Sequence, residues 1–185
     1  YTAASELASG LGNVRVIRHE KNGGSGKAIK TGIKNAVHKK IIYIPADGQF
    51  DAADIAAYLE AASEADIVIG WRRSRNDYSV FRRINSYVYR KFVKILFSLD
   101  YRDINWVHLW NRGFLKSIEL ESEGVFLLAE ILKKADMNGY SVKEIEARYN
   151  PRKSGKAKGS AFSTILITVK EMLAFWIKCK SVNRI

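Results

Sequence analysis

Asp47 stands where an apolar run ends. Residues 41–51 read IIYIPADGQFD, so Ile41, Ile42, Tyr43 and Ile44 make a buried-strand pattern that breaks at Pro45, and a carboxylate follows two residues later. In open α/β sheets the tips of strands are where ligands meet chemistry. Asp47 with Gln49 offers oxygen ligands to a divalent cation, Mg2+ or Mn2+, whose shell a diphosphate would complete, although a single Asp at this spacing reads more readily as a solvated turn carboxylate.

Cations cluster at fixed places around this carboxylate. Residues 71–77 read WRRSRND, and Arg82 and Arg83 follow closely; guanidinium forks of this kind suit bidentate phosphate recognition, or form a solvated basic loop. Residues 22–27, NGGSGK, lead into a helix whose free N–H groups can hold an anion, although Lys27 is followed by Ala28 and Lys21 stands where a phosphate-binding loop would begin with Gly. A plain strand-to-helix turn accounts for the same glycines. Asp103, between Arg102 and an aromatic stretch containing Trp106 and Trp110, is open to three readings: general base, positioning carboxylate, or partner of an arginine. Residues 151–158, PRKSGKAK, form a basic loop that can close over a diphosphate, lie on an anionic membrane, or merely link two elements.

Composition narrows the classes. The net charge of +12 predicts polyanionic company, while 47% hydrophobic residues exclude a disordered chain. Cys179 is the only cysteine, so no internal disulfide exists and a reducing cytoplasmic setting is expected. With only His19, His38 and His108 beside it, no zinc site can be assembled, and His108, alternating with apolar neighbours, reads as a structural histidine. No apolar run reaches the ~20 residues of a membrane span. The first residues lack the features of a signal peptide, and residues 2–9 read like the tail of a helix begun earlier.

The elements that must position these groups alternate. Strands are expected at residues 14–17, 41–44, 66–70, 104–111 and 141–149. Helices are expected at 27–37, at 51–63 with Asp51 as N-cap, at 80–99, at 125–137 closed by Asn138 and Gly139, and at 162–180. In the helix at 80–99, Ile84, Tyr87, Val88, Phe92, Ile95 and Leu96 are expected to face inward. The last helix is amphipathic; it can pack on the core or lie in a membrane interface with its lysines toward headgroups. The early rhythm is that of a parallel sheet covered on both faces.

Taken in order, these pieces resemble the family 2 inverting glycosyltransferases of the GT-A fold, particularly the branch of dolichyl-phosphate mannose synthase and bacterial polyprenyl-phosphate sugar transferases. The residues that carry the resemblance are Asn22 with Gly26, Ala28 and Gly32; Ala46 to Asp51; Gly70 with Arg72, Arg75 and Asp77; Arg82 with Ser86; Asp103 before a strand; Glu130 before Gly139; and Arg152 with Gly155 and Lys158. Two departures stand out. Pro45 occupies the place of the first Asp in the family's Asp-x-Asp, and the strand, helix and strand that open the family's domain are absent. The resemblance therefore implies an α/β, GT-A-like (Rossmann-like), mainly parallel sheet flanked by helices, N-terminally truncated, over residues 1–160, with a C-terminal amphipathic helix at 161–185.

It also implies hexose transfer with inversion from a nucleotide-diphosphate sugar to a polyprenyl phosphate or a cell-envelope glycan. Asn22, Gly26, Lys27, Asp47, Arg152, Lys156 and Lys158 would then hold the donor diphosphate, and Asp47 and Gln49 the Mg2+ or Mn2+. Arg72, Arg75 and Arg82 would cradle the acceptor phosphate, and Asp103 would be the catalytic or positioning carboxylate. The enzyme would sit peripherally on the cytoplasmic face of a membrane, without nucleic acid as partner. Two other readings remain: a non-catalytic domain of the same fold, and a basic nucleic-acid-binding module, for which no binding motif is present.

Overall fold

In the computed structural model, which describes residues 2–74, 78–151 and 162–182, the chain runs α1 (Thr2–Ser9), α2 (Gly24–Asn35), β1 (Lys40–Tyr43), a 3-10 turn (Ala52–Asp54), α3 (Ile55–Ala61), β2 (Ile67–Arg72), α4 (Val80–Phe97), β3 (His108–Asn111), α5 (Arg112–Ser117), α6 (Leu127–Met137), β4 (Val142–Ala147) and α7 (Phe162–Val182). The four strands form one sheet in the order β1-β3-β2-β4. β2 and β4 pair in parallel, from Ile67 beside Val142 to Arg72 beside Ala147. β3 lies between β1 and β2 and runs against both, so the sheet is mixed: three strands share one direction and the inserted one opposes them.

Alternation along β2 divides the interior. Ile67 and Ile69 face a core built with Val93 and Phe97 of α4, Leu127 to Ala135 of α6, and Met172, Phe175 and Cys179 of α7. Phe97, Phe126 and Phe175 meet there with ring centroids 5.4 to 5.8 Å apart. Val68 faces the other way, onto Tyr58, Ala61 and Ala62 around α3, with Trp106, Leu109 and Ala147. Gly70 must lack a side chain: a Cβ there would stand 1.8 Å from the hydroxyl of Tyr58, the residue that seals α3 to the sheet.

Several local expectations hold. The Asp51 carboxylate accepts from the Ala53 N–H and caps the turn into α3, and Asn138 and Gly139, with φ 72° at the glycine, close α6. His108 is fully buried, as a structural histidine should be; its Nε2–H donates to the Ile104 carbonyl at 2.8 Å.

Other expectations are corrected. Residues 14–17 pair with no strand among the described residues; Val14 and Ile17 are exposed, because alternation supplies a strand's preference but not its neighbour. α2 begins at Gly24 rather than Lys27, and Val37 lies past its end, exposed. The largest correction concerns α4. Its buried residues are Val93 and Phe97, whereas Ile84, Tyr87 and Ile95 are exposed, Val88 and Phe92 are half exposed at the edge of that arc, and Leu96 is partly covered. Ile95 is 74% exposed. The apolar arc is real, but it faces away from the sheet.

Two outcomes follow from this packing. Gly70→Ala should lower the unfolding free energy by about 1–3 kcal/mol in urea titrations, since Tyr58 has to move. Burial also pushes the His108 pKa down to about 4. The unfolded chain therefore binds a proton that the folded one refuses between about pH 6.5 and that value, and stability should fall with acidification through this window by on the order of 3 kcal/mol. Urea titrations at pH 7 and pH 4.5 should reveal the loss, and His108→Gln should reduce it.

Candidate active site

The end of β2 delivers a guanidinium into a closed setting. Ile67–Arg72 is buried along almost its whole length, and Arg72 itself is only 8% exposed. Its Nε and Nη2 donate to the two oxygens of Asp103 at 2.7 and 3.1 Å, and Nη1 donates to the Tyr78 hydroxyl at 2.7 Å. The plane lies over Trp106, 4.3 Å from its ring centroid, with Tyr78 and Tyr149 at 5.7 and 5.6 Å. Burial alone would lower the Arg72 pKa, but the charge and hydrogen bonds of Asp103 outweigh it and the value is raised. Of the three readings of Asp103, the arginine partner is the one the geometry presents.

Arg82 completes the column. It sits one turn into α4, where the Ser79 hydroxyl caps the helix by accepting its backbone N–H, and its guanidinium carbon lies 3.4 Å from the Tyr78 ring centroid. Arg72 holds Tyr78 by its hydroxyl, and Tyr78 presents a ring face to Arg82. The two arginines expected to form one cradle thus differ: Arg72 is bound within the wall, and Arg82 is the more open of the two.

Asp47 lies in the turn after β1. Gly48 adopts φ 72°, and the Asp47 carboxylate accepts the Gln49 N–H at 3.2 Å, closing the turn. Tyr43, just before it, has its pKa raised by burial and then by the Asp47 charge, which places that charge close to the strand end. Gln49 is only 2% exposed. Its side-chain Nε2 donates to the Tyr149 hydroxyl at 2.6 Å and its backbone carbonyl accepts from the Asn150 N–H at 2.9 Å, so the side chain is held toward Tyr149 and Oε1 is the atom it can offer a cation.

Asp47, Gln49, Arg72, Arg82 and Asp103 all line one cavity of about 610 Å³. Pro45, Asn85 and Asn105 line it as well. Along α4 the lining passes from Arg82, Asn85 and Ser86 in the first turns to Val88, Phe92 and Leu96 further on, and Ile165, Val169 and Leu173 of α7 add to this apolar end. Among the described residues no group of three or more His, Cys, Asp or Glu side chains converges as a metal cluster.

The glycine-rich segment contributes less than its sequence promises. The Asn22 Oδ1 accepts the Gly24 N–H at 3.0 Å, and Lys27 is exposed. Gly26 is buried for a packing reason: a Cβ there would lie 2.3 Å from the Glu123 carbonyl oxygen. Ser25 lines the cavity, whereas Asn22, Gly26 and Lys27 do not. Arg75, Asp77, Arg152, Lys156 and Lys158 lie outside the described residues.

Sequence reasoning passed over Tyr78 and Tyr149, the aromatic links between the two sides of the site. Two carboxylates hold the loop at residues 119–124: Glu130, which the resemblance included without a role, and Glu171, for which no role was expected. Glu130 is fully buried and accepts the N–H groups of Glu121 and Ser122; Glu171 of α7 accepts those of Glu123 and Gly124. Glu171 standing alone in an otherwise apolar and basic helix is the signal that could have marked it.

Comparison with known proteins follows this geometry. The model of glycosyl transferase family 2 matches residues 1–120. An uncharacterized protein of Methanocaldococcus jannaschii is 32% identical over 151 residues, covering 78% of this chain and 61% of that protein. An uncharacterized glycosyltransferase of Mycobacterium tuberculosis is 27% identical over 160 residues, covering 85% of this chain and 72% of that one. Among solved structures, glucosyl-3-phosphoglycerate synthase from Mycobacterium tuberculosis with Mn2+, uridine diphosphate and phosphoglyceric acid superposes with a TM-score of 0.59 at 14% identity, over 89% of this chain and 58% of that one. The same enzyme with Mn2+, uridine-diphosphate-glucose and phosphoglyceric acid gives 0.56 at 13% identity. The chain thus spans roughly three fifths of the first of these relatives and of the structural one. The match extends from residue 1 through both arms of the cavity's polar end, from Asp47 to Asp103, and the chain belongs to glycosyl transferase family 2.

Proposed function

We propose that the protein to which this chain belongs transfers a hexose, with inversion, from a nucleotide-diphosphate sugar to a polyprenyl phosphate at a membrane surface. The observation that carries the reading is the two-ended cavity: Asp47, Arg82 and the Arg72–Asp103 pair at one end, apolar faces of α4 and α7 at the other. A phosphate on an apolar tail matches both ends, whereas a wholly polar acceptor would leave the second end unmatched. Family membership supports the reaction class. The synthase that shares the fold has been crystallised with Mg2+ and uridine diphosphate, and with Mn2+, uridine diphosphate or uridine-diphosphate-glucose, and phosphoglyceric acid; those names support a metal-assisted nucleotide-sugar donor and an acidic, phosphorylated acceptor here.

Asp47 fits a divalent cation as a half-buried carboxylate at a strand tip inside the cavity, with Gln49 Oε1 as a second oxygen. Pro45 supplies none, so the donor's own phosphates would fill most of the shell. A cation bound there would neutralise charge on the departing nucleoside diphosphate. The remaining work falls to side chains. A phosphate acceptor is already anionic at neutral pH and needs positioning rather than deprotonation, so no general base is required. Arg82, braced on Tyr78, positions that phosphate. Arg72 keeps Tyr78 in place, and Asp103 keeps Arg72 charged and oriented. Arg152, Lys156 and Lys158 remain candidates for the donor diphosphate on sequence grounds, and Arg75 for the acceptor. The basic surface and the last helix would keep the enzyme beside its lipid substrate.

A donor screen on the full-length protein with a polyprenyl phosphate acceptor, with and without manganese, tests the reaction class; no transfer from any nucleotide sugar would remove it. Asp47→Ala should reduce transfer by at least about 100-fold while leaving the thermal midpoint unchanged. Undiminished turnover in that variant would clear Asp47 of any role. Arg82 and Asp103 should separate kinetically. Arg82→Ala should raise the acceptor KM by about tenfold or more with little change in stability. Asp103→Asn strands a buried guanidinium and should cost about 3–5 kcal/mol of unfolding free energy. Equal stability losses in the two variants would contradict the division drawn between them.

A further inference from the structure

An arc of large apolar side chains on α4 lies open to solvent: Val80, Phe81, Ile84 and Ile95, with Val88 and Phe92 half exposed where the arc meets the cavity. The helix is held to the protein by its opposite side, through Val93 and Phe97. Exposed apolar residues scattered singly need no explanation, but a continuous arc along one 18-residue helix does. α7 adds to it. Its inward side is Thr168, Met172, Phe175 and Cys179, and its outward side carries Leu166, Leu173 and Ile177. Both helices wall the same cavity, so their open faces flank its apolar end.

Each helix's own exposed charges are of one sign, with Lys94 paired to Asp100 beyond the end of α4 and Lys178 to Glu121 beside α7. Apart from Arg82, which faces the cavity, α4 carries Arg83, Arg90, Lys91 and Lys94 and no acidic residue. α7 carries Lys170, Lys178 and Lys180, and its one acid, Glu171, is turned inward to hold the N–H groups of Glu123 and Gly124. Exposed Lys91 lies within the apolar arc, where a long methylene stem lets an ammonium reach outward past apolar neighbours. A second copy of this chain would bring the same cations to the same place. Neither helix is long and apolar enough to cross a membrane.

From these observations we infer that α4, together with the outer side of α7, docks the protein on an anionic lipid bilayer. The apolar arc enters the acyl boundary, and the arginines and lysines meet the headgroups. α4 is the principal insertion element, in place of the last helix acting alone. The inference agrees with the proposed lipid acceptor but does not require it, because docking is measured without any transfer.

The test uses the full-length protein and vesicles of phosphatidylcholine, either alone or with phosphatidylglycerol. A fluorophore at Ile95→Cys should shift to shorter wavelength with the anionic vesicles and not with the neutral ones at physiological salt. The pair Ile84→Gln and Ile95→Gln should weaken sedimentation with anionic vesicles by at least tenfold while leaving the thermal midpoint unchanged, as expected for exposed positions. A label at position 95 that stays in water while the protein sediments with vesicles would overturn the assignment of α4, and so would undiminished sedimentation of the paired variant. Wild-type protein that ignores anionic vesicles and forms a dimer lost in the paired variant would make the face an interface between copies instead. If docking fails and transfer to polyprenyl phosphate persists, the proposed reaction stands and only the docking inference falls.

Discussion

Everything at the polar end of the cavity depends on one buried ion pair. Arg72 and Asp103 are both nearly inaccessible to water, so each has given up a hydration shell that would be expensive to lose alone. The loss is offset by a bidentate geometry, a third hydrogen bond to Tyr78, and the ring faces of Trp106, Tyr78 and Tyr149. Arg72 at the end of β2 thus gathers partners from three other segments: the entry to α4, the approach to β3, and the exit from β4. Tyr149 reaches further, to Gln49 in the turn that carries Asp47. The guanidinium therefore acts as a fixed centre through which a change on one side of the site is felt on the other.

A second anchoring system stands on the other side of the cavity and uses carboxylates instead. The loop at residues 119–124 has no ladder partner, and buried backbone N–H groups must be satisfied. Glu130 and Glu171 do this from two helices, while Lys30 of α2 donates to the Leu120 and Glu121 carbonyls. Gly26 allows α2 to press against Glu123. The loop thereby ties α2, α6 and α7 together, and it carries Gly124 and Val125 into the cavity wall. Glu130 and Gly26, which the family resemblance placed among its motifs, have structural work here that is independent of any ligand.

How much of this could be read beforehand depended on the range of the interaction involved. β1, β2, β4, the Asp51 cap and the end of α6 were legible because each rests on local pattern or local hydrogen bonds. The antiparallel insertion of β3 was not, since a short apolar strand does not encode which neighbours it will have. α4 was misread because helical periodicity locates an apolar arc without saying which way it faces; Val93 and Phe97, the residues that do face inward, are also apolar and fit a second arc. In the site, Asp47 was visible as a break at a strand tip. Arg72 looked equivalent to its neighbouring arginines, and only its place at the end of a fully buried strand distinguishes it. Tyr78 and Tyr149 had no local signature, because their value lies in meeting across 71 residues of chain.

The outward arc of α4 and the apolar half of the cavity have a common origin in the way that helix is seated. Because α4 touches the core through only Val93, Phe97 and their partly covered neighbours, it stands off the sheet, and the space beneath it is left to be walled by Leu96 from one side and Met172 from the other. Turning the helix to bury Ile84, Ile95 and their neighbours would cover the exposed arc, but it would also rotate Arg82 away from Tyr78, because both lie on the same rigid cylinder at offsets set by 100° per residue. The cation–ring contact and the inward arc cannot both be kept. The protein retains the arginine at the cavity and leaves the hydrocarbon outside. Under the proposed function that choice has a use: a substrate with a charged head and an apolar tail meets Arg82 and the hydrocarbon face on one helix.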